Sequence, residues 1–555
     1  MAHGTNEIIR EVEKIYSGMK TERESWINHW RDLGDYILPR RPRFLTDDRN
    51  QGKLKHSNIV DAAATLAAGA LSSGMMSGIT SPSRPWFRLT ISDPVLADQD
   101  DVKIWRAEVE QTMRDIFIRS NLYNELPLMY SDLGVFGTTC TLILEDDEDV
   151  IRAYSLPIGS YCIGMDSRNA VNRLVREYSQ TVSQLVEEFG LENCSSTVQE
   201  LHREKQLDQW VDVLHAIIPN RDFMGEALES TRKAFRSVQY ERRGPHEKLL
   251  RDGGFDEFPA LAPRWSTTGE DVYGNSPAMD VLGDIKGLQI LQKRKAQAIE
   301  KTVNPPMTGP TSLKTSTASI LPGHITYVDV NNDRGSFRPS HEVRFDISGV
   351  LEDVGEHRAR IDEAFHKNLF LMLANDRRQQ PATAREIDER HEEKMLILGP
   401  VLERLNTEML DPLINRTFSI MVRKRLVPEP PESIAGADMK IEYVSILAQA
   451  QKAVGIGSIE NLATHVLGLA QGWPEALDKY NADADIDDVA EMLGTDPRLV
   501  RDAEEVEQIR VARAEQQAAL AQQEQQMAQL EMAKGAAEVQ SIQADAQANA
   551  LGGLV

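Results

Sequence analysis

The chain has 555 residues, room for about three to five modules that each bury a core. Hydrophobic content of 41% and charged content of 27% are those of an ordinary soluble protein. Lys and Arg number 62 against 86 Asp and Glu, a formal net charge of -24, which excludes tight wrapping on nucleic acid but not contact with DNA at a few basic points.

The start, MAHGTNEIIREVEKIYSG, has no apolar run behind a basic head, so it is no secretory signal. Residues 1 to about 55 read as a helix followed by the basic loop Pro39-Arg40-Arg41-Pro42-Arg43. Ala62 to Ser83 carries no formal charge, yet it is built mostly from Ala, Gly, Ser and Thr. That is too weakly apolar to span a membrane, and Asn58 to about Gly78 reads as a closely packed small-residue helix. Pro85 to Ile91 has the alternation and bulk of a strand, and Asp101 to Gly134 is helical in pattern. Strands are expected at Thr138–Leu144, Ile151–Ser155, Tyr161–Gly164, Val171–Ser179, Val211–Ile218 and Ala234–Tyr240, so this region is mixed α and β. Cys140, Cys162 and Cys194 are too few and too scattered for a disulfide framework or a zinc site, and suggest assembly in a reducing compartment.

The pattern changes at Ser276, an N-cap with Pro277 in the first helical turn. Ile285, Leu288, Leu291, Ile299 and Val303 recur at helical spacing until Asn304-Pro305-Pro306 stops the helix. Asn304 to Phe345 is a small insert, with strands expected near Ile325–Val330 and Val343–Phe345. A second helix returns with Val350, Val354, Ile361, Phe365 and Leu369 on one face and ends near Ala374. Thr383 and Glu386 form a capping box for a third helix with apolar face Ile387, Leu398, Leu402, Leu405, Met409 and Leu413, bent by Pro400 and Pro412. Residues 440 to 500 read as a compact helical module, and from Asp502 the Ala, Gln and Glu composition favours helix.

Catalytic motifs do not occur: no G-x-x-x-x-G-K-[ST], G-x-S-x-G, H-E-x-x-H or G-x-G-x-x-G is present. Asp483, Asp485, Asp487 and Asp488 lack the glycine a calcium loop needs at position six, and position twelve is Gly494. They read as an acid-rich helix start. No catalytic residue, cofactor or metal is expected.

Four segments, SGMMSGITSPSRPWFRL (Ser73–Leu89), SLPIGSYCIGMD (Ser155–Asp166), FPALAPRWSTTGEDVYGNSPAMDVLGDIKGLQ (Phe258–Gln289) and PATAREIDE (Pro381–Glu389), together resemble the portal, or head-to-tail connector, of short-tailed double-stranded DNA bacteriophages. The resemblance runs from about residue 5 to 500. It implies a mainly α chain with a mixed α/β wing, a ring subunit with long stem helices, a small α/β clip, a helical crown and a C-terminal helical barrel or flexible tail. On this chain the wing would be 1–275, the stem helices 276–303 and 347–373, the clip 304–346, and the tunnel loop 374–382. A long kinked wing helix and connection would occupy 383–439, the crown 440–500, and the barrel or tail 501–555. The resemblance also implies a homo-oligomer, typically a dodecamer, at a capsid vertex of the virion, assembled in the host cytoplasm. Double-stranded DNA would pass through it during packaging and ejection. Partners would be the terminase large subunit, the tail adaptor, major capsid and scaffolding proteins and internal core proteins, with no membrane. Two other readings compete: a metal-dependent nucleic-acid enzyme using Asp483–Asp488, and a helical scaffold or membrane-associated coat protein using residues 62–83.

The candidate site residues follow. Asn375, Asp376, Arg377, Arg378, Gln379 and Gln380 would line the tunnel, with part of the arginine charge offset by Asp376 and Glu386. Without symmetry they would be a solvated interhelix loop. Lys286 and Lys293 share a face, as do Arg294 and Lys301; they face a channel or pair with acids on the neighbouring stem helix, among them Glu352, Asp353, Glu356, Asp362 and Glu363. Lys314, His324 and Arg334 would belong to a docking surface on the clip.

Overall fold

The computed structural model describes residues 2–44, 57–91, 99–221, 230–243, 248–309, 338–339, 347–370, 398–434, 439–443, 462–470, 472–493 and 505–520, with a few positions besides. Met1–Gln451 and Lys452–Val555 form two compact units. The described chain is mainly helical with small antiparallel sheets.

In the first unit, α1 (Ala2–Tyr36) leads through the basic loop to α2 (Ala63–Gly78), then β1 (Phe87–Ile91). The uncharged stretch is thus a helix that buries Ala64, Ala67, Ala68, Leu71 and Met75. Its small side chains let neighbours approach: a Cβ on Gly74 would stand 2.2 Å from the Phe370 ring. The expected helix at 101–134 is two helices, α3 (Asp100–Arg119) and α4 (Leu122–Phe136), broken at Ser120–Asn121. Asn121 explains the break, because its side-chain amide donates to Ala153 O at 2.7 Å and its carbonyl accepts from Ala153 N at 2.8 Å, tying the turn to the sheet.

All six expected strands of the middle region form within about two residues of their expected ends: β2 (Cys140–Asp146), β3 (Val150–Leu156), β4 (Tyr161–Met165), β5 (Val171–Thr181), β6 (Trp210–Pro219) and β7 (Phe235–Glu241). Two further strands, β8 (Arg251–Phe255) and β9 (Ala260–Leu261), are too short or too glycine-rich to announce themselves. The sheets run β3-β2-β9 and β4-β5-β6-β7-β8, all antiparallel. Alternation along β6 separates the two faces. Leu214 and Ala216 meet Ile9, Val12 and Tyr16 of α1, while Val213 meets a cluster from α5 (Val182–Phe189) and α6 (Ser196–Arg203).

The VYGNSP stretch is a junction. Gly137, at φ +73°, lies so close to Gly274 that a Cβ would sit 2.1 Å from its carbonyl oxygen. Ser276 Oγ donates to Val135 O at 2.7 Å and caps the turn Pro277–Asp280 by accepting from Met279 N at 3.1 Å. Helix α7 (Leu282–Val303) leaves from here, and α8 (Ile347–Ala364) returns beside it. Between them Met307–Thr308 pairs antiparallel with Arg338–Pro339. The expected strands at Ile325–Val330 and Val343–Phe345 lie outside the described residues.

The returning helix is not continuous to Leu373. It breaks at Phe365–His366, where His366 has φ +52° and its ring stacks on Trp265, before residues 367–370 resume a helical turn. The third helix is described from residue 398, and its expected capping box lies outside the described residues. Ahead of Pro412 it widens into a π-turn, Asn406–Leu410, before α9 (Asp411–Arg423). Pro412 has no N–H for the Glu408 carbonyl, so the wider turn takes up the missing bond. Leu398, Leu402, Leu405, Met409 and Leu413 are buried as expected.

Two boundaries differ from expectation. Met439–Tyr443, expected as the start of a helical module, is strand β10, paired antiparallel with β1 through Leu89 and Ile441. Its alternating Met-Lys-Ile-Glu-Tyr pattern is that of a strand. The second unit begins at Lys452 and includes the start of the Ala/Gln-rich segment, helical over 505–520. Within that unit α10 (Ala482–Leu493) carries Asp483 and Asp485 in its first turn, and Asn481 Oδ1 accepts from Ala484 N. The acidic run is therefore a helix start. Asp483 binds both terminal nitrogens of Arg510 at 2.7 Å.

Candidate functional site

Helices α7 and α8 are set on a polar base. Asp61, its side chain 4% exposed, is the centre. Its Oδ2 accepts from Gln292 Nε2 of α7 at 2.7 Å and from Arg358 Nη2 of α8 at 2.8 Å. Its Oδ1 accepts from Ala63 N at 2.9 Å, so the same carboxylate caps α2. Gln289 closes the network, accepting from the Val60 and Asp61 N–H groups and donating to Asp61 O. Burial alone would raise the Asp61 carboxyl, but the hydrogen bonds from Ala63, Gln292 and Arg358 hold it below the usual carboxylate range.

A second, more exposed knot joins α7 to α8. Asp284 Oδ1 lies 2.8 Å from His357 Nδ1 and 3.1 Å from Arg360 Nη1. The charges thus run opposite to expectation, with the acid on the outgoing helix and the bases on the returning one. Lys286 pairs with Asp32 of α1 at 2.7 Å and lies over the Tyr36 ring, rather than reaching an acid of α8. Lys293, Arg294, Lys301 and Glu352 make no ion pair with any described residue. Among the described residues Glu356 pairs only with Arg360, one turn along its own helix. Asp362 pairs with Lys367 at 2.7 Å.

Asn375, Asp376, Arg377, Arg378, Gln379 and Gln380 lie outside the described residues, as do Lys314, His324 and Arg334. The residues flanking the first group are described. Phe370 and Leu398 line one apolar cleft with Met75, Ile79, Trp265 and Leu402. The chain therefore leaves and re-enters the core at one place, over the small-residue helix.

A third polar centre holds the π-turn. Arg264, 4% exposed, donates to Glu408 Oε1 at 2.7 Å and Oε2 at 3.2 Å, and to Asn169 O at 2.9 Å. Sequence reasoning missed Asp61, Asp284 and Glu408. Asp61 lies 297 residues from Arg358, and nothing local pairs them. The one signal was Gln289 and Gln292 on the apolar side of α7, since a buried amide demands polar partners.

Among the described residues no group of three or more His, Cys, Asp or Glu is placed to hold a metal ion. No described helix is long and apolar enough to cross a membrane.

Comparison with known proteins supplies the context. The family model for the bacteriophage head to tail connecting protein matches residues 10–500. The chain is 47% identical over 505 residues to the portal protein of Salmonella phage epsilon15, covering 91% of this chain and 90% of the relative. It is 46% identical over 498 residues to the probable portal protein of Bordetella phage BPP-1, covering 90% of each. At 22% identity over 440 residues it is similar to the portal protein of Enterobacteria phage T3, with 76% of each chain covered.

Proposed function

The chain belongs to the family of bacteriophage head-to-tail connecting proteins and has the structural role of a phage portal at the junction of head and tail; from that premise we propose how its parts perform it. Twelve copies close into a ring at one capsid vertex, and double-stranded DNA passes along its axis during packaging and ejection. Helices α7 and α8 form the stem, and the insert between them is the clip. The terminase large subunit and later the tail adaptor dock on the clip, with Lys314, His324 and Arg334 on that surface. The region before Ser276, with the helix leading into α9, is the wing, which meets the capsid and scaffolding proteins. The second unit forms the crown and tail. Assembly takes place in the host cytoplasm.

One observation carries the reading: relatives nearly half identical along nine-tenths of the chain are portal proteins. The geometry supports it in two places. The arms are tied at their base by Asp61 and Asp284 while their far halves expose Ile299 and Val303. Phe370 and Leu398, the described residues on either side of the segment carrying Arg377 and Arg378, line a single apolar cleft.

The loop's chemistry follows from symmetry. Two adjacent arginines repeated twelve times make two rings of positive charge. B-DNA carries one charge per about 1.7 Å, so a loop layer about 7 Å thick faces about four phosphates. That many directed guanidiniums would hold a duplex that must slide. Asp376 and Glu386 offset part of the charge, and Gln379 and Gln380 offer short-lived neutral hydrogen bonds. Neither the nuclease nor the membrane-coat reading has support in the comparisons.

Negative-stain microscopy of the purified full chain tests the assembly, with rings having an axial opening wide enough for a duplex as the expected result. Arg377→Ala with Arg378→Ala tests the loop: rings still form, and packaging or retention of full genomes falls. Normal packaging by that variant would remove the loop from the mechanism.

A further inference from the structure

The ring leaves open which faces of neighbouring copies meet. On α7, Ile290, Arg294, Gln297 and Lys301 follow the spacing i, i+4, i+7, i+11 and share one side, with Lys293 at its margin. On α8, Glu352, Glu356, Ala359 and Glu363 follow the same spacing. All of these residues are exposed. Each stripe runs about 16 Å. Among the described residues neither stripe packs against another element, Glu356 pairing only along its own helix with Arg360, since the other side of α7 buries Ile285, Leu288 and Gln289, and the other side of α8 buries Val354 and Ile361.

The base end of the α7 stripe also stands level with the far end of the α8 stripe. The arms are antiparallel: a Cβ on Gly287 would lie 3.4 Å from the His357 ring, and Gln292 and Arg358 share Asp61. Lys293, six residues out from Gly287, comes level with Glu352, five residues out from His357, and Glu356 stands about a turn nearer the base. Rotation about an axis along the arms keeps heights unchanged, so Lys293 and Arg294 on one copy stand level with Glu352 on the next.

We infer that the α7 stripe of each copy packs against the α8 stripe of its neighbour, a head-to-tail contact between identical chains that closes the ring. This rests on the ring reading above. A head-to-tail contact needs two different faces on one chain that complement each other, and the arms present such a pair. A duplex is the other anion that Lys293, Arg294 and Lys301 could face. The apolar residue on the stripe decides against it: Ile290 is 51% exposed. A sliding duplex leaves it wet, whereas a neighbouring helix covers it.

Charge reversal on the full chain tests the contact. Lys293→Glu with Arg294→Glu should lower the ring fraction at physiological salt by about tenfold or more, leaving folded monomers or short arcs by mass photometry and circular dichroism. Glu352→Lys with Glu356→Lys should do the same. Carrying all four substitutions on one chain, or mixing the two double variants, should restore rings. Unaltered ring formation by either double variant overturns the contact, and so does failure of both rescue arrangements. Intact rings that lose affinity for a DNA duplex would return the stripe to the channel and overturn the contact while sparing the ring. Absence of rings in the unmodified chain would instead overturn the ring reading itself.

Discussion

Replacing Asp61 by alanine should loosen the base of both arms at once. The carboxylate accepts four hydrogen bonds, from Ala63 N, Gln292 and two nitrogens of Arg358. Removing one partner of a buried charged pair costs about 3–5 kcal/mol, but Arg358 is 52% exposed and rehydrates, so the ion pair contributes the lower part of that range or less. Loss of the acceptor that caps α2 adds about 1 kcal/mol. The expected total is about 2–3 kcal/mol, equivalent to roughly 30- to 150-fold in a local opening equilibrium. Hydrogen exchange with mass spectrometry reads it directly: protection should fall by that factor in the first turns of α2, the base of α7 and the middle of α8, and stay unchanged in the β4–β8 sheet. Asp61→Asn, which keeps the oxygen facing Ala63, should lose about half as much. The held-down Asp61 carboxyl stabilises the fold above its ordinary value of 3.8, and that contribution fades as pH falls through the lower folded value. The D61A chain should lack this acid limb. Unchanged protection at Ala63–Leu66 and Leu282–Gln292 in D61A would refute the claim that this carboxylate ties the arms down.

The other centres make separate predictions. Glu408→Ala strands the 4%-exposed Arg264 and should cost about 3 kcal/mol in chemical unfolding, whereas Arg264→Met with Glu408→Leu should recover most of it. An equal loss in the double variant would mean that the π-turn needs the charges themselves. His215 is buried between Arg176 and Ser237, and burial lowers its pKa well below 6.5. The unfolded chain therefore takes up a proton below about pH 6.5 that the folded chain refuses, so stability is full above that pH and falls with acid by at most about 1.4 kcal/mol per pH unit. His215→Gln should flatten this acid slope, measured as the unfolding midpoint against pH.

Strand β3 was legible because one face meets a core, which buries Ile151 and Ala153 and leaves Arg152 and Tyr154 exposed, and β6, covered on both faces, was legible as a run of bulky residues from Val211 to Ile218. The capped start at Ser276 was legible because capping is local chemistry. The break between α3 and α4 was not, since it depends on Asn121 reaching the backbone of Ala153. The π-turn lies one step further off: Pro412 announces a disturbance, but only Arg264, 144 residues away, decides that it becomes a widened turn presenting Glu408. The arm charges show the same limit. Helical spacing placed Lys286, Lys293, Arg294 and Lys301 on faces, yet spacing does not reveal that Asp32 takes Lys286 and that the others have no ion-pair partner among the described residues.

A chain of net charge -24 must also find a way to lie beside copies of itself. At 0.15 M salt the Debye length is about 8 Å, so neighbours respond chiefly to charges within a side chain or two of the contact. The far acids repel weakly there, and the opposed stripes of α7 and α8 attract. Near 0.01 M the length grows to about 30 Å, the whole negative balance comes into range, and repulsion gains on the local pairs. At 1 M it shrinks to about 3 Å and the exposed pairs themselves are screened. Ring yield should therefore pass through a maximum at intermediate salt, measured by mass photometry on the unmodified chain. The Lys293→Glu, Arg294→Glu chain has only repulsion to screen, so its small ring yield should rise steadily with salt. A steady rise for the unmodified chain as well would mean that apolar burial alone closes the ring and the matched stripes do not.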